Sequence, residues 1–195
     1  MKKSYLLLVA SLLLSFTAQA AVHVCTPAAN SLAWCLTQAD TLVLTDGVYE
    51  EAYTIKFETP GIVLRAAEGA KPVIRLTGEW TTLGLYATTT FDGITFDGTN
   101  VCYYPISAYG SDAGTYTFKN CEFTGWMYWA ISNHYESNTH VDNVLIENCI
   151  FHDAAGSAIY FNDDAPTGEH ACNYFEMKNS TLYKLVEDEY VGVIH

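Results

Sequence analysis

A short sequence pattern occurs four times along the chain and constrains the fold more than any other feature. Its copies span residues 90–96, 117–123, 145–151 and 176–182. In most copies an apolar and a polar residue precede a central Gly or Asn, and an apolar–polar–apolar group follows it. The central residues are 27, 28 and 31 positions apart, an interval within the range of repeat proteins whose units stack as rungs of a solenoid.

The central residue of each copy predicts a sharp bend between two short strands. These residues are Gly93, Asn120, Asn148 and Asn179, and Gly and Asn adopt the left-handed backbone conformation most readily. We expect the three asparagines to stack on successive rungs, with their side-chain amides hydrogen-bonded in a ladder. Alternation on both sides of the bend places one set of side chains inside. The residues predicted to face inward are Phe118, Phe123, Ile146, Phe151, Met177 and Leu182.

A second repeated group marks another part of each rung. Its apolar residues Ile106, Ile131, Ile159 and Val193 are 25, 28 and 34 positions apart and are predicted to face inward. Both series predict an all-β fold, a single-stranded right-handed parallel β-helix with rungs of about 25–31 residues and an Asn ladder. A β-sandwich is the weaker alternative, because it requires hairpin turns such as Asp-Gly between most strands.

The N-terminal segment has the composition of an export signal. Lys2 and Lys3 precede an apolar run over 6–16, and Ala18-Gln19-Ala20 matches a signal-peptidase site. Residues 1–20 are therefore predicted to be a signal peptide, and the protein to be periplasmic, on the cell surface or secreted. Residues 21–38 are predicted to form an N-terminal cap with a short helix between 31 and 38, and residues 39–195 the β-helix. The strand-like 191–195 has no polar cap after it, so a β-helix truncated at its C-terminus is one of two expectations.

The net charge disfavours two classes of binding partner. The chain has 9 basic and 22 acidic residues, a formal net charge of −13, which disfavours nucleic acid and anionic membrane surfaces. No segment of the mature part is long and apolar enough to predict a membrane span.

The six cysteines lie in the predicted mature part, where export permits disulfides. Cys25 and Cys35 are the easiest local pair, and the other pairings stay open. Cys121 and Cys149 follow two of the bend asparagines and are predicted to lie in register on neighbouring rungs.

The early rungs carry a recognisable pattern. Residues 40–50 read as a strand followed by Asp-Gly-Val-Tyr, and 61–65, 71–74 and 91–98 continue in the same style. This resembles the N-terminal rungs of exported β-helix proteins of the pectate-lyase-like and chondroitinase-B-like superfamily, most closely those secreted by gut Bacteroidetes. The resemblance covers residues 39–195 and implies a polysaccharide or oligosaccharide as the partner.

The catalytic residues of that superfamily are only partly present. Its lyases use a Lys and an Arg with bound calcium, whereas arginine occurs here only at positions 65 and 75. Its hydrolases use Asn-x-Asp, Asp-Asp, Gly-His-Gly and Arg-x-Lys, of which residues 162–164 supply the first two in overlapping form. The resemblance thus implies a carbohydrate-active protein, a polysaccharide lyase or hydrolase relative. The alternative is a non-catalytic glycan-binding, adhesion or scaffold module of a larger secreted protein.

An acidic loop supplies the candidate catalytic and metal-binding residues. Asp163, Asp164 and Glu169 are predicted calcium ligands, because carboxylates close together suit a hard cation. Asp163 and Asp164 are also catalytic candidates as paired carboxylates, and His134 is a candidate general base. The competing interpretations are a solvated acidic loop and a surface histidine.

Aromatic residues in neighbouring rungs suggest a glycan-contacting surface. The candidates are Trp126, Tyr128, Trp129 and Tyr160, because aromatic faces stack on sugar rings while polar tips bond hydroxyls. The alternative is that these residues pack loops against the solenoid. His152 is interpreted as a surface histidine without a catalytic role.

Overall fold

The computed structural model describes residues 21–27, 31–109, 114–133, 141–161 and 172–185. Within these ranges the chain is a parallel β-helix, in which each rung adds one strand to each of three parallel sheets. The predicted all-β class is therefore confirmed. The elements in chain order are β1 (Val22–Cys25), α1 (Leu32–Cys35), β2 (Thr41–Leu44), β3 (Gly47–Glu51), β4 (Ile55–Phe57), β5 (Ile62–Ala66), β6 (Pro72–Leu76), β7 (Leu83–Leu85), β8 (Thr89–Asp92), β9 (Thr95–Asp97), β10 (Ile106–Ala108), β11 (Thr115–Lys119), β12 (Glu122–Thr124), β13 (Trp129–Asn133), β14 (Val141–Glu147), β15 (Ile150–Ala154), β16 (Ser157–Tyr160), β17 (Cys172–Lys178) and β18 (Thr181–Leu185).

The strand order within each sheet advances by one rung per strand. The first sheet runs β1-β2-β5-β8-β11-β14-β17, the second β3-β6-β9-β12-β15-β18 and the third β4-β7-β10-β13-β16. All neighbouring strands are parallel; for example, Phe118 pairs with Phe91 on one side and Ile146 on the other. Each rung therefore repeats the same path, one strand spacing further along the axis.

The bends lie at the predicted residues. Gly93, Asn120, Asn148 and Asn179 have φ of 72°, 53°, 54° and 48°, all left-handed. Asn148 Nδ2 donates to Asn120 Oδ1 at 3.3 Å, and Asn120 Nδ2 donates to Asp92 Oδ1 at 2.7 Å. Because the preceding rung has glycine at its bend, the ladder passes there to the neighbouring carboxylate.

The interior of the solenoid is filled by stacked apolar side chains. Phe123 stacks on Phe96 at 4.8 Å and on Phe151 at 4.6 Å between ring centroids, and each of these rings is fully buried. Of the predicted inward residues, Phe118 and Ile146 are also buried, and Met177 and Leu182 pack against the core. The second series is in register as predicted, with Ile106 beside Ile131 and Ile131 beside Ile159; Val193 lies outside the described residues.

The predicted helix is present at the N-terminal end of the solenoid. Ser31 caps α1 by accepting from Trp34 N at 3.2 Å, and Leu32 and Cys35 are buried. Glu51, nearly buried, accepts from Leu32 N at 2.9 Å; burial raises the pKa of this carboxyl, and the hydrogen bond opposes the rise. The predicted disulfide between Cys25 and Cys35 is confirmed and ties α1 to β1. In the described ranges no helix has the length and apolarity to span a bilayer.

Candidate functional site

Six aromatic side chains from four rungs contact one another on one side of the solenoid. They lie where the chain passes from the second sheet to the third, or on the third sheet itself. We call this group the aromatic surface; its members are Trp80, Tyr103, Tyr104, Tyr128, Trp129 and Tyr160. The contacts form one continuous set, so the rings support one another along the solenoid axis.

The ring contacts combine edge-on and stacked geometry. Trp80 meets Tyr103 edge-on at 4.9 Å between centroids, and Tyr103 meets Tyr128 at the same distance. Trp129 stacks on Tyr160 at 3.9 Å with an interplanar angle of 5°. Trp80 is 62% exposed and Tyr128 is 48% exposed, while the other four rings are partly buried. The group therefore presents accessible ring faces on a supported base.

Tyr103 keeps its proton on this surface. Desolvation raises the pKa of its phenol, and repulsion by the nearby Glu79 carboxylate raises that pKa further. At neutral pH the side chain is therefore a neutral hydroxyl, able to donate or accept a hydrogen bond at the edge of an apolar ring.

Close backbone approach at the corner between the second and third sheets sets the position of the aromatic surface. A Cβ added at Gly156 would overlap the carbonyl oxygen of Tyr128, and one at Gly98 would lie 2.6 Å from the carbonyl oxygen of Gly125. Only glycine fits at these corners. The backbone of Tyr128 is therefore held directly against the next rung.

Trp126 is not part of the aromatic surface. Its side chain is fully buried, and its indole Nε1 donates to Ser157 O at 2.8 Å. The prediction that Trp126 contacts a glycan is corrected by this burial: the residue anchors the corner beneath Tyr128. The other three predicted residues, Tyr128, Trp129 and Tyr160, all belong to the surface.

Sequence reasoning missed Trp80 as a member of the aromatic surface. A signal was present, because Trp80, Tyr104 and Tyr128 are each 24 residues apart. The four aligned copies of the bend motif begin only after Trp80, so the repeat that they define does not include the rung of Trp80.

A second cluster lies on the outer face of the second sheet. His152 Nε2 is 2.8 Å from Glu122 Oε1, and His152 Nδ1 is 2.7 Å from Asp153 Oδ2. Lys184 Nζ lies 3.1 Å from Asp153 Oδ1, and the ring of Tyr183 stacks on the imidazole at 5.0 Å. Burial lowers the pKa of His152, but its hydrogen bonds to Asp153 and Glu122 outweigh burial and raise it.

The charged side chains of this acid–base cluster are bonded to one another. Both nitrogens of His152 are engaged, so the imidazole accepts a substrate proton only after one of these contacts breaks. The hydrogen bond from His152, followed by that from Lys184, lowers the pKa of Asp153. The prediction that His152 has no catalytic role remains a prediction. The geometry favours an ion network that links three rungs.

Two residues of the cluster have a left-handed backbone conformation, which is unfavourable for residues other than glycine. Asp153 and Lys184 have φ of 50° and 52°, whereas Gly125, at the same place one rung before Asp153, has φ of 69°. The left-handed region costs a non-glycine residue about 1–2 kcal/mol. Charged residues therefore occupy positions where the chain uses glycine elsewhere, and there they pair.

The outer face of the first sheet carries a row of alternating charges. Arg65, Asp92, Lys119, Glu147 and Lys178 are paired in register on successive strands. Opposite charges on neighbouring strands stabilise their register. A shallow cavity of about 290 Å³ lies beside this row, lined also by threonines.

Potential metal ligands come together once in the described ranges. One ligand atom each from His23, Cys25 and Cys35 lies within 4.8 Å of the others. The two sulfurs are joined in the disulfide, so neither cysteine is available as a thiolate ligand for a metal. The predicted calcium ligands Asp163, Asp164 and Glu169 and the predicted base His134 lie outside the described residues, and their roles remain predictions.

No protein-family model matches the chain, and no curated protein matches it. The fold and the aromatic surface are therefore the features that bear on function.

Proposed function

We propose that this chain is an exported carbohydrate-binding β-helix protein that holds a polysaccharide or oligosaccharide on its aromatic surface. The observation that supports the proposal is the continuous contact of six aromatic rings across four rungs. A β-helix is a rigid, elongated scaffold, and solenoids commonly use such extended faces for binding.

The chemistry of the surface suits sugar rings. The C–H faces of a pyranose are apolar and stack on aromatic rings, while the phenol hydroxyls of tyrosines bond to sugar hydroxyls. Neighbouring strands are about 4.8 Å apart, so a surface of four rungs extends roughly 14 Å along the axis before side-chain width is added. This length suits a chain of sugars better than a single ring.

The net negative charge of the protein narrows the class of glycan that it can bind. With 22 acidic and 9 basic residues, the protein repels polyanions unless a cation lies between the two surfaces. Arg75, one of the two arginines, is held by Asp97 at 3.0 Å and faces Glu50 at 3.9 Å. A neutral glycan therefore fits better than a uronate polymer, unless calcium bridges the charges.

Catalysis forms the second part of the proposal. The pectate-lyase-like resemblance implies lyase or hydrolase activity, and the loop with Asp163 and Asp164 begins two residues after Tyr160 in the sequence. We assign any hydrolytic activity to these two carboxylates, with His134 as an additional base. In the alternative assignment, Asp163, Asp164 and Glu169 instead bind calcium. The alternative is a non-catalytic glycan-binding, adhesion or scaffold module. One observation favours this alternative: the acid–base groups of the His152 cluster are paired with one another.

Binding is tested with a panel of neutral and acidic polysaccharides by affinity electrophoresis and calorimetry. Replacing Trp80 or Trp129 by Ala is expected to weaken binding about tenfold each, which corresponds to about 1.4 kcal/mol of stacking. Tyr53→Ala is the matched control, because Tyr53 is 83% exposed and lies outside the aromatic surface. Equal binding by all three variants contradicts the proposal.

Turnover is tested separately on the same panel with and without calcium. Ultraviolet-absorbing unsaturated products indicate a lyase, and new reducing ends without such products indicate a hydrolase. Activity that is lost in Asp163→Asn and Asp164→Asn supports the catalytic part. Binding without turnover supports the alternative module.

A further inference from the structure

Two free cysteines lie opposite each other on neighbouring rungs. Lys119 pairs with Glu147, and Glu122 pairs with Ile150, so Cys121 and Cys149 occupy matching positions between these pairs. Both thiols are buried and free. Each cysteine directly follows an asparagine of the ladder.

The backbone separation suits a disulfide. Neighbouring strands of a parallel sheet are about 4.8 Å apart, and disulfides join Cα atoms that are about 4.4–6.8 Å apart. The Cys25–Cys35 disulfide of this chain has a Cα separation of 6.3 Å. The Cα separation expected for Cys121 and Cys149 therefore lies within the range found in disulfides.

The two side chains point the same way. Cys121 Sγ donates to Lys119 O at 3.1 Å, and Cys149 Sγ is 3.4 Å from Glu147 O, the equivalent carbonyl two residues earlier. Cys149 Sγ also lies 3.5 Å from Phe118 O, so its side chain leans toward the rung that carries Cys121. The two buried thiols therefore face the same way, and each influences the pKa of the other.

The pair is chemically asymmetric. The hydrogen bond from Cys121 lowers the pKa of Cys149 despite burial, whereas burial raises the pKa of Cys121. By contrast, burial raises the pKa of Cys102 to about 12, and its thiol contacts the backbone carbonyl of Thr81 at 3.0 Å. Cys149 is the better nucleophile of the three, because the thiolate is the reactive form.

We propose that Cys121 and Cys149 are a redox pair that closes a second disulfide across two rungs of the solenoid. Cys149 attacks one sulfur of a small disulfide such as oxidised glutathione, and the first glutathione thiol leaves. Cys121 then attacks the Cys149 sulfur of the mixed disulfide, and the second glutathione thiol leaves. Two protein thiols become one S–S bond, and the two electrons and two protons pass to the oxidant, which becomes two thiols.

Because both cysteines are buried, the exchange occurs only while the rungs are open. Cys121 is 2% and Cys149 is 1% exposed, so an oxidant reaches them before the rungs close in folding or during local opening. Once formed, the bond holds together the rungs that carry Trp129 and Tyr160 of the aromatic surface. The inference stands on the cysteine geometry alone and does not depend on glycan binding.

The test uses the full chain refolded in a mixture of oxidised and reduced glutathione. The sample is quenched in denaturant with one alkylating reagent, then reduced and treated with a second reagent, and the labelled peptides are identified by mass. We expect Cys121 and Cys149 to carry only the second label and Cys102 the first. Cys121 and Cys149 carrying the first label to the same extent as Cys102, or disulfides that join either to Cys102 or Cys172, overturn the inference.

Single variants give an independent check. In Cys121→Ser we expect Cys149 to carry the first label or a bound glutathione and to form no disulfide within the chain. In Cys149→Ser we expect Cys121 to carry the first label, while Cys102→Ser leaves the pair oxidised. The melting temperature of the wild type is expected to rise between reducing and oxidising refolding by more than that of Cys121→Ser. The rise that remains in the variant reports the Cys25–Cys35 bond. An equal rise in both proteins overturns the inference.

Discussion

Asn148 donates its side-chain amide to the side-chain oxygen of Asn120 at 3.3 Å, one rung away. Both residues have a left-handed backbone, so the same side chain that tolerates the bend also joins it to the next bend. Asn120 extends the ladder to Asp92. At Asn120 and Asn148, the same residue therefore makes the bend and bonds to the neighbouring rung.

The bend at Asn120 gives a prediction that separates backbone from side-chain effects. Asn120→Gly keeps the left-handed conformation but loses the amide bonds, so we expect a loss of about 1 kcal/mol in the free energy of unfolding. Asn120→Ala loses the bonds and also strains the backbone, which adds about 1–2 kcal/mol. Urea unfolding followed by circular dichroism measures both. Equal destabilisation by the two variants contradicts a left-handed requirement.

The aromatic stack in the core gives a prediction about packing. Phe123 is fully buried between Phe96 and Phe151, so Phe123→Ala is expected to lower the free energy of unfolding by about 3–5 kcal/mol. Phe175→Ala is the matched control, because Phe175 is 37% exposed and its truncation leaves a smaller cavity. Chemical denaturation of the two variants should rank them in this order, and the reverse order contradicts the described core.

The corner glycine gives a prediction about the aromatic surface. A Cβ at Gly156 overlaps the backbone of Tyr128, so Gly156→Ala is expected to cost about 1–3 kcal/mol through forced backbone shifts. The same shift displaces Tyr128, so glycan binding should fall as well. Gly114→Ala is the control, since its added Cβ has its nearest contact at 3.5 Å. Thermal unfolding and affinity electrophoresis report the two effects, and unchanged behaviour of Gly156→Ala rejects the close approach.

The acid–base cluster gives a prediction about pH. The pKa of His152 is raised in the fold, so its stabilising contribution is complete below the unfolded pKa of about 6.5 and is lost as pH rises through the folded value. The pKa of Asp153 is lowered, so its contribution is present above its unfolded pKa and is lost as pH falls through its folded value. Both contributions are present between these limits.

We therefore expect the difference in melting temperature between the wild type and His152→Gln to be largest in mildly acidic solution. The difference should shrink as pH rises through neutrality, because the imidazole between Glu122 and Asp153 loses its charge. Melting curves from pH 5 to pH 9 measure this trend. A difference that is constant or that grows with pH contradicts the described cluster.

Parts of the fold were predictable because they depend on local and repeated signals. The left-handed bend at Asn120 follows from its residue type and its spacing to Asn148, and burial of Phe118 and Phe123 follows from alternation. The cap helix followed from residues 31–38, and the Cys25–Cys35 bond from short separation. None of these conclusions needs the path of a distant segment.

The site was less predictable because the corners vary in length. The link between the second and third sheets has eight residues after β9, four after β12 and two after β15. Trp126 and Tyr128 both lie in the link after β12, where strand alternation does not apply, so the pattern could not show that Trp126 is buried and Tyr128 exposed. Likewise, Glu122, the hydrogen-bond partner of His152, lies 30 positions away in the sequence.

The sequence by itself determined the repeat, its bend residues and the inner face, since these are set by backbone preference and by alternation along one strand. Only the tertiary structure decided which aromatic rings meet, which histidine is held between carboxylates and that the two facing cysteines are both buried. Those relationships join residues one rung apart, and the stacking of rungs brings them to within one strand spacing.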